Sequence, residues 1–264
     1  MKKLFPLLLI IIMLFSILSL SGCNEQNSNT DESNNDSLDD GSDDSESFDP
    51  PILENIGINI DYYNATTNKA GDFQFDAFIY PWGEGIYNEK VFYDYGFIET
   101  NEDGTTNPGP QPIFVAPLGT KVHAITSGVV HDIHVLYSDD YTIRVVKEDN
   151  PNWLYEHEHV INISVSIGDR VTAGQEIAEV SDYINWLKND GYGLFDIGLL
   201  TTDENGNPWH HCPFMYLNES VKQDYYDKIN ALYKSWEEYT GNYSLYDEDE
   251  YCITGCVICD PIND

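Results

Sequence analysis

Short apolar segments separated by polar turns run through most of the chain after residue 50. Their apolar residues alternate or cluster as they do in strands, with turn residues about every eight to twelve positions. Strands are predicted over residues 52–60, 73–80, 113–116, 122–125, 129–137, 141–147, 153–159, 161–167, 177–180 and 194–200. This order predicts a mainly β fold, either an antiparallel β-sandwich or a folded sheet.

One long helix is predicted after the strands. Apolar residues from Val221 to Trp236 recur at steps of three and four, which places them on one face of a helix over residues 219–239. We expect this face to pack on the sheet. Residues 182–188 predict a short helix, and the Asn-, Gly-, Thr- and Pro-rich residues 100–112 predict a loop.

The first residues have a different pattern, a basic start followed by an apolar run. Lys2 and Lys3 precede residues 4–20, and small residues then lead to Cys23. This arrangement is typical of a secretory signal. The Leu-Ser-Gly-Cys sequence that ends at Cys23 resembles the lipobox of prokaryotic lipoproteins. A plain transmembrane anchor is the alternative, because the apolar run is nearly long enough to span a bilayer.

The lipobox resemblance implies cleavage before Cys23, lipidation of that residue with diacylglycerol and palmitate, and an extracytoplasmic protein anchored to a membrane. Which membrane carries the protein stays open. Two of the 12 Lys and Arg residues and none of the 46 Asp and Glu residues lie within residues 1–22, so the mature chain would carry a net charge of −36. Such a surface repels nucleic-acid phosphates and anionic lipid headgroups, which leaves Cys23 as the membrane link.

Composition divides the chain into four segments. They are a lipoprotein signal at residues 1–22, an acidic tether at 23–50, a β domain with an N-terminal extension at 51–217, and a helix with a cysteine-rich tail at 218–264. Residues 24–50 have almost no apolar content, so they cannot bury enough surface to offset their ordering entropy. We therefore expect the tether to be disordered.

Four cysteines besides Cys23 stand near the end of the chain: Cys212, Cys252, Cys256 and Cys259. An even number of cysteines in an oxidising compartment predicts two disulfides, with three connectivities open. The Cys-x3-Cys-x2-Cys spacing also resembles an iron–sulfur triad of radical enzymes, although that interpretation conflicts with export. A metal site that includes His210 or His211 is a third interpretation.

Two stretches with glycine turns characterise the central domain. The first runs over residues 116–124 and on to Gly128, and the second joins Tyr155-Glu156-His157 to residues 165–171 and then to Gly174-Gln175. In this order they resemble the lysostaphin-like (LytM-type) zinc endopeptidases, over residues 76–217. Glycine allows positive φ at tight corners, so these motifs indicate the fold and not the chemistry.

The resemblance implies a compact antiparallel sheet of the duplicated-hybrid-motif type, with its site in a groove, in a family that cuts peptide cross-links of bacterial cell walls. It also implies a zinc ion held by the His and Asp of an H-x-x-x-D motif and by the second His of an H-x-H motif. The first His of H-x-H and the His of a Tyr-x-His motif would orient water and stabilise the oxyanion. Zinc in such a site keeps one position open for water.

The ligand motifs of that family are not retained in this chain. H-x-x-x-D lines up with Asp94 to Ile98, so that Asp replaces His and Ile replaces Asp. H-x-H lines up with Tyr192 to Leu194, and only the Tyr-x-His motif remains, ending at His157. Because isoleucine and leucine cannot bind zinc, we interpret the domain as a degenerate, non-catalytic member.

A rebuilt metal site is the alternative. Its candidate ligands are His157 and His159, expected to share one face of a strand, and the carboxylates of Asp94, Glu99 and Asp196. His157 is also the candidate catalytic residue, whereas His131 and His134 are expected to face opposite sides of a strand. No third donor has the expected spacing, so the simpler interpretation is a polar groove without a cofactor, with zinc as the alternative.

Three functions compete for this chain. The first is a cell-surface domain that binds a peptide, a glycan or an envelope protein without cutting it, as inactive relatives that regulate cell-wall hydrolases do. The second is a divergent zinc hydrolase with rebuilt ligands. The third is a biotinyl or lipoyl carrier, but the Met-Lys-Met and Asp-Lys-Ala attachment motifs do not occur. We favour binding or regulation at the cell envelope, by a domain that is not an enzyme.

Overall fold

Strands make up most of the regular structure in the computed structural model, which describes residues 51–76, 90–100 and 104–263. The strands are β1 (Lys69–Ala70), β2 (Phe73–Gln74), β3 (Phe92–Tyr93), β4 (Ile98–Thr100), β5 (Thr106–Pro108), β6 (Ile113–Pro117), β7 (Lys121–His123), β8 (Gly128–Val135), β9 (Tyr141–Lys147), β10 (Asn150–Ile161), β11 (Arg170–Val171), β12 (Glu176–Val180), β13 (Tyr192–Thr202), β14 (Pro208–His210) and β15 (Ile262–Asn263). The α-helices are α1 (Asn185–Asn189) and α2 (Glu219–Thr240), and two 3-10 turns span Pro213–Tyr216 and Glu248–Glu250. The predicted signal, Cys23 and the tether lie outside these described residues.

The central sheet is antiparallel and contains 11 of the described strands. Its main order is β11-β8-β9-β10-β13-β14-β15; in addition β6 pairs with β13 and β3, and β12 pairs with β10 and β7. Strands β1 and β2, and strands β4 and β5, form two separate hairpins. The mainly β, antiparallel fold with one C-terminal helix is therefore confirmed.

The core around the central strands is strongly aromatic. Phe114 of β6 stacks on Phe92 of β3 at 5.0 Å between ring centroids and on Phe195 of β13 at 5.3 Å. Phe195 and Leu194 are fully buried. Strand β13 is a near-continuous apolar run because both of its faces are covered.

Helix α2 packs into this core with the face that the sequence predicts. The Asn218 side chain caps its start by accepting from the Ser220 amide at 2.9 Å, and Gly241 ends it in a left-handed conformation. Its buried residues are Ile229, Leu232, Tyr233 and Trp236. No helix in the described part of the chain has the length and apolarity needed to cross a bilayer.

One disulfide attaches the C-terminal tail to the segment after β14, and a second disulfide closes a loop within the tail. Cys212 is bonded to Cys256, and Cys252 to Cys259, with sequence separations of 44 and 7. The two predicted disulfides are therefore confirmed, and their connectivity is resolved. Because all four sulfurs are paired, the iron–sulfur triad and the cysteine–histidine metal site do not apply.

Two predicted strands are not formed in the described structure. The Asn55 side chain accepts from the Gly57 amide at 2.7 Å, and Gly57 has φ of 82°, so residues 52–60 turn instead of extending. Asn162 has φ of 51°, which ends β10 and leaves residues 163–167 outside the sheet. Local side-chain turns and positive φ override the apolar alternation at both places.

A close backbone approach at Gly193 predicts a test of packing in β13. A Cβ atom at this position would lie 2.2 Å from the Ser181 carbonyl oxygen and 3.0 Å from Leu118 Cδ2. Because the backbone cannot yield as a flexible side chain does, Gly193→Ala should lower the free energy of unfolding by about 2 kcal/mol in chemical denaturation. Gly206→Ala is the control: its Cβ meets nothing within 4 Å, so only the left-handed φ of 83° should cost about 1 kcal/mol. Equal losses in the two variants would contradict the steric explanation.

Candidate functional site

Polar side chains cross four neighbouring strands on one face of the central sheet. Asp132 of β8 stands opposite Arg144 of β9, Arg144 stands opposite Glu156 of β10, and Glu156 stands opposite Gly198 of β13. Residues directly opposite each other point to the same face of a sheet. We call Asp132, Arg144 and Glu156 the polar row.

The polar row is internally satisfied. Glu156 is 2% exposed, and it accepts from Arg144 Nε at 2.6 Å, from Thr142 Oγ1 at 3.2 Å and from Gln111 Nε2 at 3.0 Å. Arg144 also lies 3.9 Å from Asp132. The missing side chain of Gly198 makes room for this network, because a Cβ there would lie 2.9 Å from Gln111 Nε2.

A second row on the same face contains two carboxylates. Asp196 of β13 stands opposite Glu158 of β10 on one side and opposite Ile113 of β6 on the other. Glu158 and Asp196 each lie two residues from the Glu156–Gly198 pair, so both point to the face of the polar row. We call Glu158 and Asp196 the acidic pair.

A β-bulge in β10 separates the two candidate histidines. His157 pairs with Ile143 and Val160 pairs with Tyr141, so β10 advances three residues while β9 advances two. His159 lies in this bulge and has a positive φ of 54°. The expectation that His157 and His159 share a face was therefore wrong, because the bulge breaks the two-residue alternation between them.

His157 points into the core. It is fully buried, its Nε2 accepts from the Ile125 amide at 3.0 Å, and its Nδ1 lies 3.3 Å from the Ile143 carbonyl oxygen. Burial lowers its pKa to about 4. Both ring nitrogens are engaged with the backbone, so His157 has no lone pair for a metal and no access to a substrate.

His159 lies instead beside the acidic pair. Its Nδ1 donates to Asp140 Oδ2 at 2.9 Å, and its ring stacks on Tyr183 at 4.1 Å between centroids. Burial opposes protonation, but the hydrogen bond to Asp140 and the charges of Asp196 and Glu158 outweigh it and raise the pKa of His159. Burial would raise the pKa of Asp140, but hydrogen bonds from His159 and two serines lower it. The geometry is that of an imidazolium–carboxylate ion pair.

Asp196 is the least satisfied group on this face. The residue is 7% exposed, and its buried Oδ1 has no hydrogen-bond partner among the described residues. Burial raises its pKa well above the ordinary value, with further contributions from Glu158, Glu99 and Asp140, and His159 offsets only part of this. Burial and the charge of Glu156 also raise the pKa of Glu158.

Asp94 belongs to a different part of the molecule. It is fully buried and accepts from the Tyr233 hydroxyl of α2 and, at 2.8 Å, from the Tyr251 hydroxyl of the tail. Burial raises its pKa, and the nearby Lys90 opposes the shift. Asp94 therefore joins β3 to the helix and tail. Among the described residues, no three His, Cys, Asp or Glu side chains are arranged to hold a metal ion.

The remaining histidine candidates are also engaged elsewhere. His134 Nδ1 lies 2.8 Å from Asp132 Oδ2, at the exposed end of the polar row. His211 Nε2 lies 2.9 Å from Thr201 Oγ1, and its ring packs 4.6 Å from Trp153. These positions do not converge on the acidic pair.

Part of this sheet is similar to a known peptidase family. Residues 113–188 match the model of peptidase family M23. The resemblance to the LytM-type peptidases is thus confirmed over that range, and the chain contains a peptidase-like domain. A comparison with curated proteins finds no match.

Several solved structures of M23 peptidases are similar to part of this chain. The NMR structure of lysostaphin is 22% identical to this chain. The match covers 42% of this chain and 43% of the lysostaphin chain, with a TM-score of 0.34. A catalytic-domain variant of the prophage-encoded M23 protein EnpA from Enterococcus faecalis is 21% identical. The match covers 46% of this chain and 85% of the EnpA chain, with a TM-score of 0.34. Lysostaphin from Staphylococcus simulans is 20% identical. The match covers 49% of this chain and 50% of the lysostaphin chain, with a TM-score of 0.39. This chain thus spans less than half of the first of these proteins.

The strand register shows where the stretches aligned with the M23 zinc motif lie. Leu194 and Asp196 of β13 face Val115 and Ile113 of β6. Ile98, at the Asp position of the aligned H-x-x-x-D stretch, instead pairs with Pro108 in the separate β4–β5 hairpin and is 64% exposed. That motif was placed by short local similarity, which carries no information on strand pairing.

The β6 positions opposite this part of β13 also lack zinc donors. Val115 faces Leu194 and Ile113 faces Asp196, and the positions four residues before Ile113 and Val115 are Gly109 and Gln111. Leu194, at the second His position, is fully buried. The residues on this face therefore do not fit a zinc ion of the family's type, which requires three nitrogen, oxygen or sulfur ligands.

Sequence reasoning missed the partners that define the site. Asp140 lies between the predicted strands 129–137 and 141–147, and Gln111 lies in the predicted loop, yet both form buried hydrogen bonds on this face. The consecutive acids at 139 and 140 were the available signal. Their meeting with His159 depends on the bulge in β10, which no local pattern indicates.

Proposed function

We propose that this protein is a lipid-anchored, extracytoplasmic M23-like domain that binds a cell-wall peptide in its groove without hydrolysing it, in a binding or regulatory role. The observation that supports the proposal is the replacement of donor side chains. Apolar Leu194 stands at the second His position of the H-x-H segment, and the β6 residue that it faces, Val115, is also apolar. A hydrolytic M23 site requires zinc ligands and a bound water.

The polar groups that remain on this face are suited to binding rather than to metal chemistry. Glu156 already accepts hydrogen bonds from Arg144 and Gln111, and His159 already donates one to Asp140. An imidazolium paired with a carboxylate has no lone pair on the bonded nitrogen for a metal ion. The face therefore offers fixed charges in a partly buried setting, where charge complementarity selects a ligand.

The location outside the cytoplasm is supported by chemistry at both ends of the chain. Two disulfides are stable only in an oxidising compartment. The basic start and the small residues before Cys23 favour export and lipidation. The strongly acidic composition, with a formal net charge of −34, disfavours nucleic acid as a partner.

Incubation of the detergent-purified full chain with insoluble peptidoglycan tests this function. We expect the protein to sediment with the polymer and to release no soluble fragments, with or without added zinc. An active M23 peptidase under the same conditions controls for substrate quality. Fragment release that a chelator stops and His159→Gln abolishes would establish the alternative, a divergent zinc hydrolase. Failure to sediment would contradict the binding role.

A further inference from the structure

The unpartnered oxygen of Asp196 indicates what this face of the sheet binds. Within the described part of the chain, Asp196 Oδ1 is buried without a hydrogen-bond donor, although most buried polar groups in proteins have one. A carboxylate in such a position is costly unless a cation or donor reaches it. Phe195 and Ile197, the neighbours of Asp196 in β13, are fully buried in the core, so a partner must come from the face of the acidic pair.

The cations of this face are already committed to other carboxylates. Arg144 is paired with Glu156 at 2.6 Å, and His159 with Asp140 at 2.9 Å. Within residues 51–76, 90–100 and 104–263, neither member of the acidic pair forms an ion pair with Lys, Arg or His within 4.0 Å. Among the described residues, this face of the sheet therefore carries two carboxylates that no cation is paired with.

We propose that Asp196 and Glu158 together bind the ammonium group of a peptide, a lysine-type side chain or a free amino terminus. This inference rests on the proposed binding function and names the chemistry of its ligand. An ammonium group has three donors and can serve both carboxylates at once. Asp196 is only 7% exposed, which favours a narrow alkylammonium over the wider, planar guanidinium.

Two tyrosines complete the recognition of such a group. Tyr183 lies on His159, and Tyr137 stands edge-on to the same ring at 6.2 Å and is 88% exposed. Burial, followed by the charges of Glu158 and Asp196, raises the pKa of Tyr137. An alkyl stem can pack along Tyr137 while its ammonium reaches the acidic pair.

The groups around Asp196 predict how binding depends on pH. The charged groups that act on Asp196 are Glu158 and His159 of β10, Asp140 of the β8–β9 turn and Glu99 of β4. Burial and the three carboxylates among them keep the proton on Asp196 to a higher pH than usual. An ammonium group prefers the charged carboxylate. Binding should therefore strengthen as pH rises through the raised pKa, and it should release protons.

Titration of the full chain with N-α-acetyl-lysine amide, followed by calorimetry, tests the inference. We expect binding at pH 8 that weakens at least tenfold at pH 5, and no binding of the same probe acetylated on its side-chain nitrogen. Asp196→Asn, which keeps the shape, should weaken binding at least tenfold. Glu148→Gln removes one exposed carboxylate paired with Arg170 and should leave binding unchanged.

Each contrary outcome overturns the inference. Equal binding of both probes, or wild-type affinity in a folded Asp196→Asn protein, excludes ammonium recognition. Binding of Zn²⁺ or Ca²⁺ alone that Asp196→Asn removes would assign the carboxylates to a metal. If the protein sediments with peptidoglycan but ignores the lysine probe, the binding function stands and only the ammonium ligand is wrong.

Discussion

Replacing Cys212 and Cys256 together with alanine is expected to lower the free energy of unfolding by about 4 kcal/mol. Their bond closes a loop with a sequence separation of 44, so its loss frees a large number of unfolded conformations. Both cysteines are at most 1% exposed, and the backbone of Cys256 pairs with Tyr95. Denaturation in guanidinium chloride, with reversibility checked, measures the change.

The other disulfide supplies the matched control. Cys252 and Cys259 are separated by 7 positions, so alanine at both should cost only about 2 kcal/mol, because a shorter loop restrains the unfolded chain less. A larger loss from this pair than from Cys212 and Cys256 would contradict the loop-length explanation and would give the tail a greater role in the core.

Acidification is expected to destabilise the protein through His157, by about 3 kcal/mol between pH 6.5 and pH 4. Burial lowers the pKa of His157 from 6.5 to about 4 in the folded state. Across this window the unfolded chain binds a proton at His157 and the folded chain does not. Stability therefore falls as pH decreases from the unfolded pKa to the folded one, and it is unaffected by this group above pH 7.

The comparison of pH-dependent stability curves isolates this contribution. His157→Gln retains an acceptor for the Ile125 amide, so its curve should start lower at pH 7 and approach or cross the wild-type curve near pH 4. His131→Gln, at an exposed position, should remain parallel to wild type. Parallel curves for wild type and His157→Gln would show that His157 does not titrate as its burial requires.

The candidate site shows where sequence reasoning succeeded. The glycine turns predicted the antiparallel sheet, because a residue with positive φ at a tight corner is a local requirement. The candidate metal ligands were only partly brought together. His159 and Asp196 lie in one charge network, whereas His157 enters the core and Asp94 joins the C-terminal tyrosines.

The sequence by itself determined the strand and turn pattern of the central sheet, the extent and buried face of helix α2, and the absence of donor side chains from the H-x-H segment. These properties depend on residue type and on spacing within a few positions. Only the tertiary structure decided that Cys212 pairs with Cys256, that Ile113 faces Asp196, and that a bulge turns His159 toward Asp140. Such contacts depend on the register between strands that are far apart in the chain. One extra residue in a strand is enough to change which side chains face each other.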